Sequence, residues 1–565
     1  MAAGADVAQL VERELPKLEV AGSRPVVRLV SSGAVQSTGG GGARAARRGA
    51  ILVVSVLATL LAFTGAQAAA LDELHVGDRE IRDSHDRQVL LRGVNVSALT
   101  DQYQVDPDLP PVVPLRGRDY RRMEALGFNV IRLAVNWSKL EPERGQINSH
   151  YIERIRKVVE KAADHGMYTI IDMHNGGWGK YVATPPGEKC PGDLRKSHGW
   201  LGAPEWATFL DGQSTCHDDR TNKRTPAVKA AWDNFWNNTR RLVWVDGRGI
   251  QDHLVSVWGV LGRAFAHEPA VAGYDLLNEA DPGNTRRDQQ AFTGKFDADA
   301  IAAIRQSEAQ AGGFSHMILF EPNLTWSQNG LASHSPAPGF SDDPNLVFAP
   351  HLYGRDVHTT TRSLKLVRRD LKKQERRVAH RARSYGAALW IGEWSFSIFD
   401  ESALKKLRTH IEIQDSNQLG SAWWQWKVGC GAPQRFEGLK PKPSFAVIGN
   451  LNPTKCPSGK RVARPKGWKA IIARAYPRAA PGTLTQLSAH GSRISLEGES
   501  RCYSRLRASD PKACQLVVWI PKRKHDAGRR PRIDGHHLRQ LLVRRVSRGW
   551  LAKADVRGDY SLSAD

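Results

Sequence analysis

The sequence predicts an α/β fold, a TIM (β/α)8 barrel with a small C-terminal β-sandwich domain. From Val89 onward, short apolar strand-like runs alternate with amphipathic helix-like runs, the pattern of a parallel sheet with crossover helices. Eight strand-like runs can be counted, which is the number that closes such a barrel. After about Ala470 the helical period disappears, and short apolar runs separated by Gly, Pro and Asp predict the sandwich.

The 565-residue chain has a leader-like segment before the barrel. Its positive charges come first: Arg44, Arg47 and Arg48. The uncharged stretch Ala50–Phe63 and the small residues Ala66-Gln67-Ala68 follow, which is typical of a signal peptide at about 44–68 with its cleavage site. We therefore expect a secreted, extracellular protein; the alternative is a membrane anchor through residues 50–71. Residues 1 to about 40 resemble a translated transfer-RNA gene, which indicates a misplaced start codon.

Three domains are predicted: an N-terminal extension with the signal peptide (1–68), the barrel (69–469) and the sandwich (470–565). Amphipathic helices such as Tyr151–His165 and Gln251–His267 lie between the barrel strands. The predicted strands are Val89–Val96, Asn129–Val135, Tyr168–His174, Val271–Glu279, Met317–Asn323, Leu346–Tyr353, Ala388–Ser395 and Gly420–Lys427.

Six cysteines form an even set in a chain predicted to be exported, which favours disulfides over metal sites. Neighbours in sequence fall within one predicted loop or domain, and three pairs are expected: Cys190 with Cys216, Cys430 with Cys456, and Cys502 with Cys514. The first pair lies in the long irregular segment Asn175–Thr225, which we expect to shape a cleft at the carboxyl face of the barrel. Its tryptophans, Trp178, Trp200 and Trp206, are candidates for an apolar rim.

The formal net charge is +23, and a conspicuous share lies between Lys522 and Arg548. A basic surface suits nucleic acid, anionic lipid or acidic polymers. No nucleic-acid-reading motif is recognised, so a nucleic acid partner is not expected. Contact with an anionic lipid surface stays open, as does an ordinary solvated surface. We expect a monomer.

Two strand-like runs end in glutamate: Tyr274-Asp-Leu-Leu-Asn278-Glu279 and Trp390-Ile-Gly-Glu393-Trp394. Paired carboxylates at the carboxyl ends of barrel strands are what glycoside hydrolysis requires. A separation of about 5 Å would mean retention of anomeric configuration, and about 6.5–9.5 Å would mean inversion; we expect retention. Glu279 would then be the protonated acid and Glu393 the ionised nucleophile. Either glutamate alone could instead belong to a strand-end salt bridge.

Other predicted strand ends also carry hydrogen-bonding or stacking groups, whereas a purely structural barrel would more often have aliphatic residues there. These candidates are Arg132, Asp172, His174, Asn278, His351, Tyr353, Trp424 and Trp426. They indicate a carbohydrate-binding cleft. No metal site or nucleotide-binding loop is recognised, and the expected chemistry needs no cofactor.

An ordered set of motifs resembles glycoside hydrolase family 5, the cellulase family: Arg92-Gly-Val-Asn95, Leu126-Gly-Phe-Asn-Val-Ile-Arg132-Leu, Asn278-Glu279, His351-Leu-Tyr353 and Gly392-Glu393. Further motifs resemble its endoglycoceramidase branch: Asp172-Met-His174, Gly202-Ala-Pro-Glu-Trp206, Ala272-Gly-Tyr-Asp-Leu-Leu-Asn-Glu279 and Ala473-Arg-Ala-Tyr-Pro-Arg-Ala-Ala480. The likeness spans nearly everything after the leader. Departures at Ala280, at Asn175-Gly176 and at Ser97-Ala98 leave the recognised sugar open.

The resemblance implies roles for the candidate residues. Glu279 would be the acid/base and Glu393 the nucleophile, with Asn278 holding the sugar 2-hydroxyl. Tyr353 would be hydrogen-bonded to the nucleophile, and Arg132 would keep it ionised. Asp172, His174 and His351 would bind sugar hydroxyls or orient the carboxylates. Trp424 would form the floor under the sugar ring, whereas Trp426 could bind sugar or face the helices.

The sequence therefore predicts a secreted retaining β-glycosidase of the endoglycoceramidase-like type, cleaving a glycan from a lipid aglycone. Alternatives within the family are a β-glucanase or mannanase, or an exo-β-glucosidase acting on a sterol or flavonoid glycoside. The alternative of another class is a non-catalytic carbohydrate-binding barrel, which would lack one carboxylate.

Overall fold

The computed structural model describes most of the chain from residue 71 to the C-terminus. The described residues are 71–218, 224–239, 243–284, 289–324, 326, 336–353, 363–395, 402–433, 450–452, 454, 456, 467–503, 509–522 and 529–565. Residues Ala68–Asp565 group into one compact unit. The predicted N-terminal extension and signal peptide lie outside the described residues.

Three short strands precede the barrel: β1 (Leu74–Gly77), β2 (Glu80–Asp83) and β3 (Arg87–Gln88). The first two form an antiparallel hairpin. Asp78 and Arg79, between them, both have a positive φ, which is the backbone that a two-residue hairpin turn requires. No strand was predicted for this part of the chain.

Eight parallel strands close into a barrel in chain order. They are β4 (Arg92–Val96), β5 (Val130–Val135), β6 (Tyr168–Met173), β7 (Val271–Asp275), β8 (Met317–Phe320), β9 (Leu346–Phe348), β10 (Ala388–Trp394) and β11 (Gly420–Trp423). Each lies within one of the eight predicted strands, so the predicted TIM barrel is confirmed. Nearly all of their residues are buried, as expected for parallel strands packed on both faces.

Helices surround the barrel, and they contribute an apolar stripe to its outer core. Their bounds are Gly117–Ala125, Trp137–Leu140, Ser149–Ala163, Pro226–Trp236, Val243–Asp246, Ile250–Phe265, Gln289–Gln310, Leu364–Tyr385, Ala403–Ser416 and Trp468–Ile472. In Ser149–Ala163 the Asn148 side chain caps the first turn by accepting from the Tyr151 amide. The predicted apolar face of this helix, which includes Ile155 and Val159, is buried.

The C-terminal strands form one antiparallel sheet with the first three strands of the chain. They are β12 (Tyr476–Pro481), β13 (Thr483–His490), β14 (Arg493–Glu499), β15 (Gln515–Pro521), β16 (Ile533–Val546) and β17 (Gly549–Ala564). The sheet order is β1-β2-β3-β12-β15-β17-β14-β13, and β16 pairs with β17. An antiparallel sheet is therefore present where the C-terminal β-sandwich was predicted, and it includes strands from both ends of the described chain. The predicted boundary at residue 470 stays a prediction.

This sheet packs at the amino-terminal end of the barrel. Asp415 accepts hydrogen bonds from Arg92, at the start of β4 (2.7 Å), and from Arg474, just before β12 (2.8 Å). The Tyr476 hydroxyl donates to the carbonyl of Gly127, in the turn before β5, at 2.6 Å. A Cβ added at Gly127 would lie 2.3 Å from the Trp519 ring, so only glycine permits this contact.

All three predicted disulfides are present: Cys190–Cys216, Cys430–Cys456 and Cys502–Cys514. Each joins cysteines that are neighbours in sequence, as the spacing predicted. Among the described residues, no helix combines the length and the apolar character that crossing a bilayer requires.

Candidate active site

The carboxyl ends of the barrel strands bring the two predicted glutamates together. Glu279 follows β7 and Glu393 lies near the end of β10. One carboxylate oxygen of each, and one ring nitrogen of His351, all lie within 4.8 Å of one another. The two carboxyl groups therefore lie close enough to act on one bound group.

Glu393 is buried and held by two donors. The Arg132 guanidinium donates to its Oε1 at 3.0 Å, and the Tyr353 hydroxyl donates to its Oε2. Both contacts are hydrogen bonds that fix the orientation of the carboxyl group. The geometry therefore suits a carboxylate whose oxygen must attack an electrophilic carbon.

Glu279 is held differently, and its side chain keeps 14% of its surface exposed. Its backbone has φ +40°, in the left-handed region that non-glycine residues seldom adopt. The amide N–H donates to Glu321 Oε2 at 2.9 Å, and Oε1 lies 2.8 Å from His351 Nδ1. The side chain is thus partly exposed, and its backbone amide is held by Glu321.

Arg132 is the centre of the buried network. Its side chain is fully buried and lies within 3.0 Å of four carboxylates, those of Asp172, Asp275, Glu321 and Glu393. Burial by itself lowers the pKa of the guanidinium, but these four acids outweigh it and hold the pKa well above its usual range. The arginine consequently stays charged at every pH at which the protein folds.

His351 carries the second buried positive charge. Burial lowers the pKa of the imidazole, but Glu321 and Glu393 raise it more strongly, and hydrogen bonding to Glu279 adds to the effect. The net result is a pKa well above the ordinary 6.5. His351 is therefore a cation in contact with both members of the glutamate pair.

Asn278 and Asn175 tie the strand ends to the loop after β6. Asn278 Oδ1 accepts from Arg132 at 3.1 Å, and its Nδ2 donates to the Asn175 carbonyl at 2.9 Å. The Asn175 side chain donates in return to the Asn278 carbonyl. Asn175, which departs from the family pattern, thus helps to position Asn278, the residue before Glu279.

His174 and Trp424 form one wall of the cleft. Their rings stack at a centroid distance of 5.0 Å with an interplanar angle of 8°, and His174 Nδ1 lies 2.7 Å from Asp172 Oδ2. Trp424 is partly exposed and packs against Tyr353. Its indole is consequently available to a ring bound above the glutamates.

Trp426 does not join this wall. Its indole N–H donates to Asp119 Oδ1 at 3.2 Å, on the helix Gly117–Ala125 outside the barrel, and the side chain is 2% exposed. The prediction that Trp426 binds substrate is corrected by this contact, and the alternative in which it faces the helices fits the structure. Trp424 packs against Tyr353 and Trp426 against the helix Gly117–Ala125, although the two residues are only two positions apart.

The tryptophans of the long segment after β6 also differ from the expectation. Trp178 and Trp200 are 3% and 1% exposed, and Trp178 packs edge-on against Trp137 and Trp232. Trp206 is partly buried, and its indole N–H donates to the Glu141 carbonyl at 3.0 Å. These rings fasten the segment to the barrel and do not form an apolar rim.

Sequence reasoning missed three buried residues of the network: Glu321 after β8, Asp275 at the end of β7, and Asn95 in β4 as a ligand of Arg132. Burial raises the pKa of Glu321 to about 8, against the opposing effect of His351 and Arg132. Burial also raises the pKa of Asp275. The sequence did carry a signal for Glu321, because this acidic residue comes directly after the apolar run Met317–Phe320. Glu279 was recognised from the same kind of signal, an acidic residue at the end of a predicted strand.

Comparison with known proteins agrees with this geometry. Residues 117–429 match the family Cellulase (glycosyl hydrolase family 5). The chain is 30% identical to Endoglycoceramidase I of Rhodococcus hoagii (strain 103S) over 303 residues, which cover 51% of this chain and 54% of that protein. It is 26% identical to an Endoglycoceramidase of Cyanea nozakii over 302 residues, which cover 48% and 54%. The chain thus spans about half the length of the curated relatives it matches.

Solved structures are similar over a larger share of the chain. A crystal structure of an endogalactoceramidase is 37% identical, with a TM-score of 0.74, and the match covers 88% of this chain and 100% of that one. Endo-glycoceramidase II from Rhodococcus sp. is 20% identical with a TM-score of 0.65, a likeness of fold alone. Because the family match covers more than half of the sequence and includes the barrel strands that carry both glutamates, the chain belongs to glycosyl hydrolase family 5.

Proposed function

We propose that this protein is a retaining β-glycosidase in which Glu279 is the acid/base and Glu393 the nucleophile. The observation that carries the proposal is the distance of at most 4.8 Å between carboxylate oxygens of the two glutamates. Close carboxyl groups, about 5–5.5 Å apart, are typical of retaining glycosidases, whereas inverting enzymes hold them about 6.5–9.5 Å apart. The different hydrogen-bond partners of the two glutamates support the assignment of roles: Glu393 accepts from Arg132 and Tyr353, whereas Glu279 contacts His351.

The proposed reaction has two steps. In the first, Glu279 gives its proton to the glycosidic oxygen while a Glu393 oxygen attacks the anomeric carbon, so that the aglycone leaves and a glycosyl ester forms. In the second, ionised Glu279 takes a proton from water, the water oxygen attacks the same carbon, and the ester bond to Glu393 breaks. Arg132 and Tyr353 hold Glu393 through both steps, and His351 stabilises Glu279 whenever it is ionised.

We propose a glycolipid as the substrate, with the cleaved bond between the glycan and its lipid. Support comes from the names of the similar proteins, which include endoglycoceramidases and, at 37% identity, an endogalactoceramidase. The stacked wall of His174 and Trp424 suits the apolar face of a sugar ring beside the cut. The rivals remain a β-glucanase or mannanase and an exo-acting glycosidase on a sterol or flavonoid.

We also propose that the protein is exported and acts at an anionic lipid surface. The three disulfides support export, because disulfides persist in an oxidising compartment. The net charge of +23 supports contact with an anionic lipid surface. The antiparallel sheet lies at the amino-terminal end of the barrel, whereas the glutamates lie at the carboxyl end. A lipid contact that delivers substrate therefore belongs to the carboxyl end, and the basic strand β16 is not adjacent to it.

The test is product analysis by mass spectrometry on a panel of glycosphingolipids and β-glucans in mild detergent. Intact oligosaccharide with free ceramide is the expected result, and the initially released sugar should be the β-anomer by proton NMR. Glu279→Gln and Glu393→Gln should each lower the rate by at least about a thousandfold. Glu153→Gln, at an exposed helical position, serves as the matched control and should change nothing.

The assignment of roles has its own readout. With added azide, Glu393→Ala should yield the α-glycosyl azide, because azide then occupies the face from which the nucleophile attacks. Glu279→Ala should yield the β-glycosyl azide from the glycosyl ester. Glucan fragments would favour a β-glucanase or mannanase, and released monosaccharide would favour an exo-acting glycosidase. An α-anomer as first product from the unaltered protein would rule out retention.

A further inference from the structure

A third acidic residue, Glu321, contacts both Glu279 and His351. Glu321 follows β8 directly, and its side chain is 1% exposed. The proposed reaction gives it no proton to transfer. We propose that Glu321 is a positioning residue that holds Glu279 in its reactive place, through the Glu279 backbone and through His351. This inference rests on the proposed role of Glu279.

The first connection is to the backbone. Glu279 has φ +40°, which is unfavourable for a side chain with a Cβ, and such a conformation persists only where the surroundings hold it. Glu321 Oε2 accepts the Glu279 amide N–H at 2.9 Å. Since the amide and the carboxyl group belong to one residue, this hydrogen bond determines where the acid points.

The second connection is to the side chain. Glu321 Oε1 lies 3.1 Å from His351 Nε2, and His351 Nδ1 lies 2.8 Å from Glu279 Oε1. The imidazole is thus placed between two carboxyl groups: Nδ1 is within hydrogen-bond geometry of Glu279, and Nε2 is at ion-pair distance from Glu321 without that geometry. Arg132 Nη2 also donates to Glu321 Oε1, at 2.5 Å, which prevents that carboxyl group from rotating. Both oxygens of Glu321 are therefore engaged in fixing neighbours.

The third argument concerns charge. The titratable and charged groups around Glu321 are Arg132, Asp172, Asp275, Glu279, His351 and Glu393, with Asp297 on the helix Gln289–Gln310. These are two bases and five acids, and Glu321 is the group that raises the pKa of His351 most strongly. Replacing Glu321 should therefore weaken the interaction of His351 with ionised Glu279.

The experiment compares substrates whose leaving groups differ in their need for a proton. The variants Glu321→Gln and Glu321→Ala are assayed on phenyl and on 2,4-dinitrophenyl β-galactosides and β-glucosides. We expect kcat/KM on the phenyl glycoside to fall at least tenfold more than on the dinitrophenyl glycoside, because only the poor leaving group needs a well-placed acid. Glu321→Gln, which keeps an acceptor oxygen, should lose less than Glu321→Ala.

The matched control is Glu308→Gln. Glu308 is also a buried glutamate paired with a histidine, His316, at 2.7 Å, but it lies before β8 and has no contact with Glu279. Its substitution should lower stability and leave the ratio between the two substrates unchanged. Equal losses of Glu321→Ala on both substrates, or the same ratio change in Glu308→Gln, would overturn the proposal.

A second measurement does not depend on activity. In protein labelled at histidine, the His351 resonance is followed by NMR against pH in the unaltered chain and in Glu321→Gln, which preserves side-chain volume. The midpoint should move down by one pH unit or more in the variant. An unchanged midpoint would overturn the link through His351. If neither glycoside is hydrolysed by the unaltered protein, the proposed function fails while this titration still decides the inference.

Discussion

At the scale of one residue, Tyr353 shows how burial and neighbouring carboxylates keep a hydrogen-bond donor protonated beside Glu393. Its hydroxyl is buried beside Glu393 and Glu279, and burial together with these carboxylates holds the pKa of the phenol well above its ordinary 10. The hydroxyl consequently stays protonated and donates to Glu393 at every working pH. A carboxylate that is to act as a nucleophile needs such a donor, which fixes its orientation without neutralising it.

Substituting Tyr353→Phe should lower kcat/KM about tenfold to a hundredfold, since hydrogen bonds to charged groups contribute about 1.5–3 kcal/mol. The measurement is steady-state hydrolysis of the glycolipid or aryl glycoside that the unaltered protein accepts. Tyr274→Phe is the control, because the Tyr274 hydroxyl is equally buried and has no hydrogen-bond partner among the described residues. A similar loss in the control would show that burial of the ring, and not the hydroxyl, is what matters.

At the scale of elements, the helix Leu364–Tyr385 carries a buried glutamate that lies outside the candidate active site. Most of its surface is basic and exposed, but Glu375 on its inner face is 3% exposed. Glu375 Oε2 accepts from the Asn417 amide at 2.7 Å, at the end of the neighbouring helix Ala403–Ser416. Glu375 and Asn417 thus form a buried polar contact between the two helices, in addition to the exposed pair of Arg368 with Glu412.

This contact predicts a dependence of stability on pH. Burial raises the pKa of Glu375 from 4.5 to about 8, so the folded state holds a proton that the unfolded state has released. The stabilisation from this proton is complete below pH 4.5 and is lost as the pH rises through 8. Glu375→Gln stays neutral throughout and should raise the thermal midpoint by about 2 °C at pH 9. At pH 5 the variant and the unaltered chain should unfold together, and an equal gain at both pH values would contradict the explanation.

At the scale of the whole molecule, the barrel and the antiparallel sheet depend on each other. Strands β1 to β3 come from before the barrel yet continue the C-terminal sheet through β12. Leu74 and Ile81 also pack with Val130, Tyr168 and Met317, the first residues of three barrel strands. The sheet therefore closes the end of the barrel opposite the glutamates, and this fits a stabilising function at that end.

Asp415→Ala should destabilise the entire protein by about 3–5 kcal/mol, because it leaves the buried guanidinium groups of Arg92 and Arg474 without their shared carboxylate. Urea unfolding, followed by tryptophan fluorescence, measures the loss. Glu412→Ala is the control on the same helix, since Glu412 forms only an exposed pair with Arg368 and should change stability by less than about 1 kcal/mol. Comparable effects of the two substitutions would refute the role given to the interface.

Much of the fold and part of the site could be predicted from the chain. Continuous apolar runs and period-3.6 patterns are local, so the barrel strands and helices such as Ser149–Ala163 were recognised, and short spacing placed all three disulfides correctly. The strands β1 to β3 were missed, because they are only two to four residues long and join the C-terminal sheet through β3 and β12, which are about 400 positions apart. Trp426 was misjudged because alternation along a strand does not say where the strand ends.

The sequence by itself determined that two glutamates would end two strands of a parallel barrel, since apolar periodicity and chain order are sufficient to place them at one rim. Only the tertiary structure decided how far apart they lie, which acids share Arg132, and that Glu321 supports Glu279 from beneath. The physical reason is that distance and charge balance depend on groups from six different strands. Burial and Coulomb interactions among them arise only when the barrel has closed, and no local pattern in the chain records them.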